Sequence, residues 1–74
     1  MIKKRSVRIA GHETSITLED DFWRALSDIA EEKHLPLNAL ITHIDAERNA
    51  PNLSSAIRLY VLAHLQVKLS ERID

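Results

Sequence analysis

The chain has no cysteine, one glycine, two prolines, and one each of phenylalanine, tryptophan and tyrosine among its 74 residues. Without cysteine there is no disulfide framework, no thiol nucleophile and no thiolate metal site. A single glycine, Gly11, cannot supply a glycine-rich phosphate loop. The four histidines, His12, His34, His43 and His64, lie 22, 9 and 21 positions apart, which fits neither a helical metal pair nor a zinc finger. The carboxylates Glu19, Asp20 and Asp21 read as a solvated helix start rather than an acid and base pair. The expectation is a non-enzyme with no cofactor, no metal and no catalytic residue.

Long apolar runs are absent as well. None approaches the roughly 18 to 20 residues of a membrane span. The basic start Lys3-Lys4-Arg5-Ser6-Val7-Arg8 is not followed by the apolar region of a signal peptide. No amphipathic helix with a basic face points to a membrane surface. A cytoplasmic protein with no membrane partner is expected.

A chain this short buries only about 60% of its unfolded surface. With neither disulfide nor metal to staple it, oligomerisation is the remaining support, and a homodimer is expected from size alone. The net charge of −1 conceals an asymmetry. Residues 1–9 carry Lys3, Lys4, Arg5 and Arg8 with no acid, giving +4, whereas residues 10–47 sum to −7 and residues 48–74 to +2. A basic arm on an acidic body points to an anionic partner for the arm.

Apolar spacing divides the chain into two strands, about 4–9 and 14–18, and three helices, about 19–33, 37–48 and 53–69, within a single domain over 1–74. Val7 and Ile9 alternate with Ser6 and Arg8, and Ile16 and Leu18 with Ser15 and Thr17. Ala10-Gly11-His12-Glu13 reads as a four-residue hairpin loop, which pairs Ile9 with Thr14, Val7 with Ile16, Arg8 with Ser15 and Ser6 with Thr17. One face is then apolar and the other carries Lys4, Ser6, Arg8, Ser15 and Thr17.

The first helix presents Phe22, Ala25, Leu26, Ile29 and Ala30 as one stripe. Trp23 stands one residue off it, at a dimer seam or under the third helix. Pro36 suits the first position of the second helix, whose core face is Leu37, Leu40, Ile41 and Ile44. Asn52 or Ser54 caps the third helix. Its residues Leu53, Ala56, Ile57, Leu59, Tyr60, Val61, Leu62, Leu65 and Leu69 cover most of the circumference. Such a helix needs more than one surface to bury against, and part of that surface is expected on a second copy. His12 is expected to serve the turn, His64 to pack in the core or at an interface, and Tyr60 to sit in the core with its hydroxyl on a partner.

A strand ending in Ile16-Thr17-Leu18 that passes through acids into an amphipathic helix, a short turn and a second helix resembles the ribbon-helix-helix family over residues 13–49. The pattern Arg5-Ser6-Val7, Gly11-His12, Thr14-Ser15, Leu18-Glu19, Phe22-Trp23 and Asn52-Leu53-Ser54-Ser55-Ala56 resembles a small bacterial subgroup of that family over residues 5–65. The resemblance implies an α+β, mostly α, homodimer in which each protomer gives one strand to an antiparallel ribbon lying in the DNA major groove. Here an N-terminal hairpin or arm and a third C-terminal helix are added.

Carried over by position, Glu13, Ser15 and Thr17 point outward, Thr14, Ile16 and Leu18 pack inward, and the phosphate contact falls at Leu37, Asn38 and Ala39. The candidate DNA-contacting residues are Lys3, Lys4, Arg5, Ser6, Arg8, Ser15, Thr17 and Asn38. The candidate dimer residues are Ile16, Leu18, Trp23, Leu40, Ile44, Ile57, Tyr60 and Val61. Glu13 on a groove-facing strand, Pro36 where a capping hydroxyl is expected, and the acidic body support a second reading. That reading is a dimerisation and protein-interaction module that keeps the fold without binding DNA.

Overall fold

The computed structural model describes residues 2–73, so positions 1 and 74 of the expected domain lie outside the described residues. Strands β1 (Ile2–Ile9) and β2 (His12–Glu19) form an antiparallel hairpin, followed by α1 (Asp20–Glu32), α2 (Leu37–Glu47) and α3 (Leu53–Ile73). The architecture is α+β and mostly helical, and the first strand is paired along its length rather than a free arm.

The hairpin register differs from the sequence expectation. Ile9 pairs with His12 rather than Thr14, Arg8 with Glu13, Val7 with Thr14, Ser6 with Ser15 and Lys4 with Thr17. The loop is therefore two residues, Ala10 and Gly11, both left-handed at φ 52° and 83°. Positive φ at both central positions is the turn whose twist matches that of the flanking strands, and it adds two cross-strand pairs to the ladder. Placing Ala10 there costs about 1–2 kcal/mol, which the added pairs offset. His12 accordingly belongs to β2 rather than to the turn. Because the shift is two residues, side chains stay on their expected faces and only their cross-strand partners change.

Helix ends follow the local chemistry. Glu19 is the extended residue before α1, with Asp20 and Asp21 in the first turn, where acids complement the exposed amide end. At the far end His34 takes φ 59°, its N–H reaches Glu31 O at 3.0 Å, and Leu35 N–H reaches Ala30 O at 2.9 Å. This is the left-handed helix stop normally filled by glycine.

Pro36 is the cap of α2 rather than its first residue, and its carbonyl accepts from Ala39 and Leu40 at 3.0 and 3.2 Å. For α3 the cap is Asn52, whose Oδ1 accepts the Ser55 N–H at 2.8 Å. The helix then continues to Ile73, past the expected end at Leu69.

The core draws on every element: Val7 and Ile9, Ile16 and Leu18, Trp23, Leu26, Ile29 and Ala30, Leu40, Ile41 and Ile44, and Ala56, Ile57 and Val61. The hairpin lies with one face on the helices, and its other face is turned outward. Beyond Val61, α3 leaves the core, and Leu62, Leu65, Val67 and Leu69 are exposed.

Candidate nucleic-acid interface

Strand alternation sets out the outer face of the hairpin. It carries Lys4, Ser6 and Arg8 from β1 and Glu13, Ser15 and Thr17 from β2, all exposed. Ser6 stands directly opposite Ser15, and Lys4 opposite Thr17. Paired hydroxyls with a lysine beside them can donate and accept hydrogen bonds along base edges and phosphate.

The acids on this face are compensated. Arg8 lies 3.9 Å from Glu13, so the two charges largely cancel where they stand. Glu19, at the end of β2, accepts a 2.8 Å hydrogen bond from the Arg58 guanidinium of α3, which holds its carboxyl below the ordinary 4.5. Among the described residues Lys4 has no carboxylate partner at ion-pair distance.

The basic arm does not act as one group. Lys3 and Arg5 fall on the same side of β1 as Val7 and Ile9, facing the helices. Lys3 Nζ lies 3.8 Å from Asp20, and the Arg5 guanidinium sits 5.2 Å over the ring of Trp23. Trp23 itself is buried under β1, its Nε1–H pointing to the Lys3 carbonyl at 3.4 Å. The indole thus anchors the first strand, a place that neither the seam nor the third-helix reading gave it.

A cleft of about 220 Å³ along this flank is lined by Lys3, Arg5 and Arg24 with Asp20. Arg24 escaped the sequence reading. Its position four residues after Asp20 on α1 was the available signal. Asn38 is exposed in the first turn of α2, and its carbonyl accepts the Thr42 hydroxyl at 2.8 Å. Pro36 has no N–H to offer there, so the Leu37 and Asn38 amides are the donors at that helix end.

The residues expected at a dimer seam lie as follows within the single chain. Ile16, Leu18, Trp23, Leu40, Ile44, Ile57 and Val61 are all buried inside the single chain, and Tyr60 is half-buried. The large apolar side chains left exposed are instead Ile2, Leu35, Leu59, Leu62, Leu65, Val67 and Leu69. His64 packs between helices, 3.7 Å from Glu32 of α1, and Lys68 donates to the same carboxylate. That hydrogen bond holds Glu32 below the ordinary 4.5. A larger cleft of about 500 Å³ opens between β2 and the segment joining α2 to α3, with His12, Thr14, Asp45 and Arg48 on its walls.

A β-ribbon leading through an acidic turn into two helices, with polar and basic side chains on its outer face, defines a class of small ribbon-bearing domains. Residues 2–65 match the ribbon-helix-helix domain family, and the chain belongs to it. Comparison with curated proteins and with solved structures finds no match. Members of this family are typically dimeric DNA-binding regulators rather than enzymes. Among the described residues no helix is long and apolar enough to cross a membrane.

Proposed function

We propose that the protein is a transcriptional regulator that binds DNA as a homodimer through the outer face of its hairpin. The observation that carries this reading is that face itself: Lys4, Ser6, Arg8, Ser15 and Thr17 lie exposed together on a ribbon of the matching family. Ser15 and Thr17 of β2 supply base-edge contacts, and Lys4 and Arg8 of β1 supply phosphate contacts. If β2 pairs with β2 of a second copy, the sheet has four strands about 4.8 Å apart. Only the central pair fits a major groove about 12 Å wide, which leaves the outer strands at the phosphate edges.

A second reading, a dimerisation and protein-interaction module without DNA binding, is favoured by the pairs Arg8–Glu13 and Arg58–Glu19, which neutralise much of the face. Electrophoretic retardation of duplex DNA at low salt separates the two. A Lys4→Ala, Arg8→Ala double variant that folds but no longer retards DNA supports the first reading. A wild-type chain that retards no duplex supports the second.

A further inference from the structure

α3 has two apolar faces, and the chain covers one. Ala56, Ile57 and Val61 face the core, where Ile57 is 0% exposed. At 100° per residue, Leu59, Leu62, Leu65 and Leu69 fall within an arc of about 120°, centred roughly 120° round the helix from Ile57 and Val61. These four leucines are 51% to 60% exposed. Between positions 59 and 70 the one charged residue is Lys68. It lies off this arc, hydrogen-bonded to Glu32.

The surface area says how much covering is missing. A monomer of 8.4 kDa is expected to expose about 4,600 Å². This chain exposes 5349 Å². The excess, about 700 Å², is close to the roughly 800 Å² per partner of a standard stable interface. The shape agrees, since the radius of gyration is 12.5 Å against about 11.3 Å for a compact chain of this length.

We infer that the leucine arc of α3 is an interface onto the same arc of a second copy. Arg58, the cation at the start of the arc, is paired with Glu19, so the leucine stripe does not repel its own image across a twofold axis, which an isologous contact requires. The spacing of Leu59, Leu62, Gln66 and Leu69 alternates three and four, the seam of a helix pair, with Gln66 as a polar residue that sets register. A nucleic acid or an anionic membrane surface would demand free cations along the arc, and Arg58 within it and Lys68 beside it are already bonded to Glu19 and Glu32. This inference deepens the dimer of the preceding proposal by giving it a second contact, independent of the ribbon.

The test is the solution mass of the full chain by sedimentation across the micromolar range. Wild type is expected at twice 8.4 kDa. Leu62→Glu with Leu69→Glu is expected to raise the dissociation constant of the dimer at least tenfold, with its helical circular dichroism retained because both sites are exposed. Should that variant unfold, Leu62→Ala with Leu69→Ala is expected to weaken association at least tenfold.

A wild-type chain that stays single, or a double-Glu or double-Ala variant of unchanged association, overturns the inference. The DNA reading fails separately. A dimer sensitive to the Glu pair that binds no duplex sinks only that reading, and a duplex-binding dimer indifferent to the pair sinks only this one.

Discussion

The two faces of the hairpin are built from alternate residues of the same two strands, yet they meet opposite demands. Val7, Ile9, Ile16 and Leu18 on the inner face are buried against the chain's own helices. Lys4, Ser6, Ser15 and Thr17 on the outer face touch no core and remain exposed. Stability is thus written on one side and the proposed recognition on the other, and the side chains can be changed nearly independently. A β-strand does this at a period of two, which a helix of the same length cannot match.

Substitutions should separate the faces by size of effect. Leu18, fully buried, is the most severe site: Leu18→Ala should lose about 2–5 kcal/mol. A domain of this size holds about 4–11 kcal/mol in total, so denaturant titration should show a large fraction of the stability gone. Gly11 comes next. No atom within 4 Å would meet an added Cβ there, so Gly11→Ala should lose only the left-handed backbone term, about 1–2 kcal/mol, again read by denaturant titration.

On the outer face, Glu13→Gln should move stability by less than about 0.5 kcal/mol. It should also release Arg8 and remove a repulsive charge, tightening DNA binding about two- to five-fold, as measured by fluorescence anisotropy. A weakening there would mean that the Arg8–Glu13 pair serves another surface.

The smallest effect is the response to acid. Glu19 and Glu32 both titrate below their ordinary 4.5 because Arg58 and Lys68 bond to their ionised forms. Depressed carboxylates contribute stability that is present above their unfolded value and is lost as pH falls through the folded one. The melting temperature should therefore be flat from pH 7 to about 5 and decline below about 4.5. The variants Arg58→Ala and Lys68→Ala should each reduce that decline. An acid response unchanged in both variants would detach these pairs from stability.

The same contrast shows what the sequence made legible. Alternation was sufficient for the inner and outer residues of both strands, because a period of two leaves no other assignment once Val7, Ile9, Ile16 and Leu18 are taken as core. The turn was not legible, since the tight form needs Ala10 in a conformation that alanine rarely adopts. Composition presents Lys3, Lys4, Arg5 and Arg8 as one basic arm. Strand parity already divides those four residues, and the structure divides them the same way.

Trp23 was hard to place because its partner, β1, lies 20 residues earlier in the chain. The contact of Arg58 with Glu19 joins residues 39 apart and leaves no local trace. In α3 the apolar surround was plain from Leu53 to Leu69. Which part the chain itself covers depends on where the helix leaves the core, after Val61, and only the packed structure supplies that.

The central claim, that the outer face engages phosphate, is tested most directly by the salt dependence of duplex binding. If about four of the basic side chains of a dimer contact phosphate, the logarithm of affinity should fall with the logarithm of salt concentration at a slope of roughly −3.6. A slope near zero, or no binding to any duplex at low salt, would contradict it.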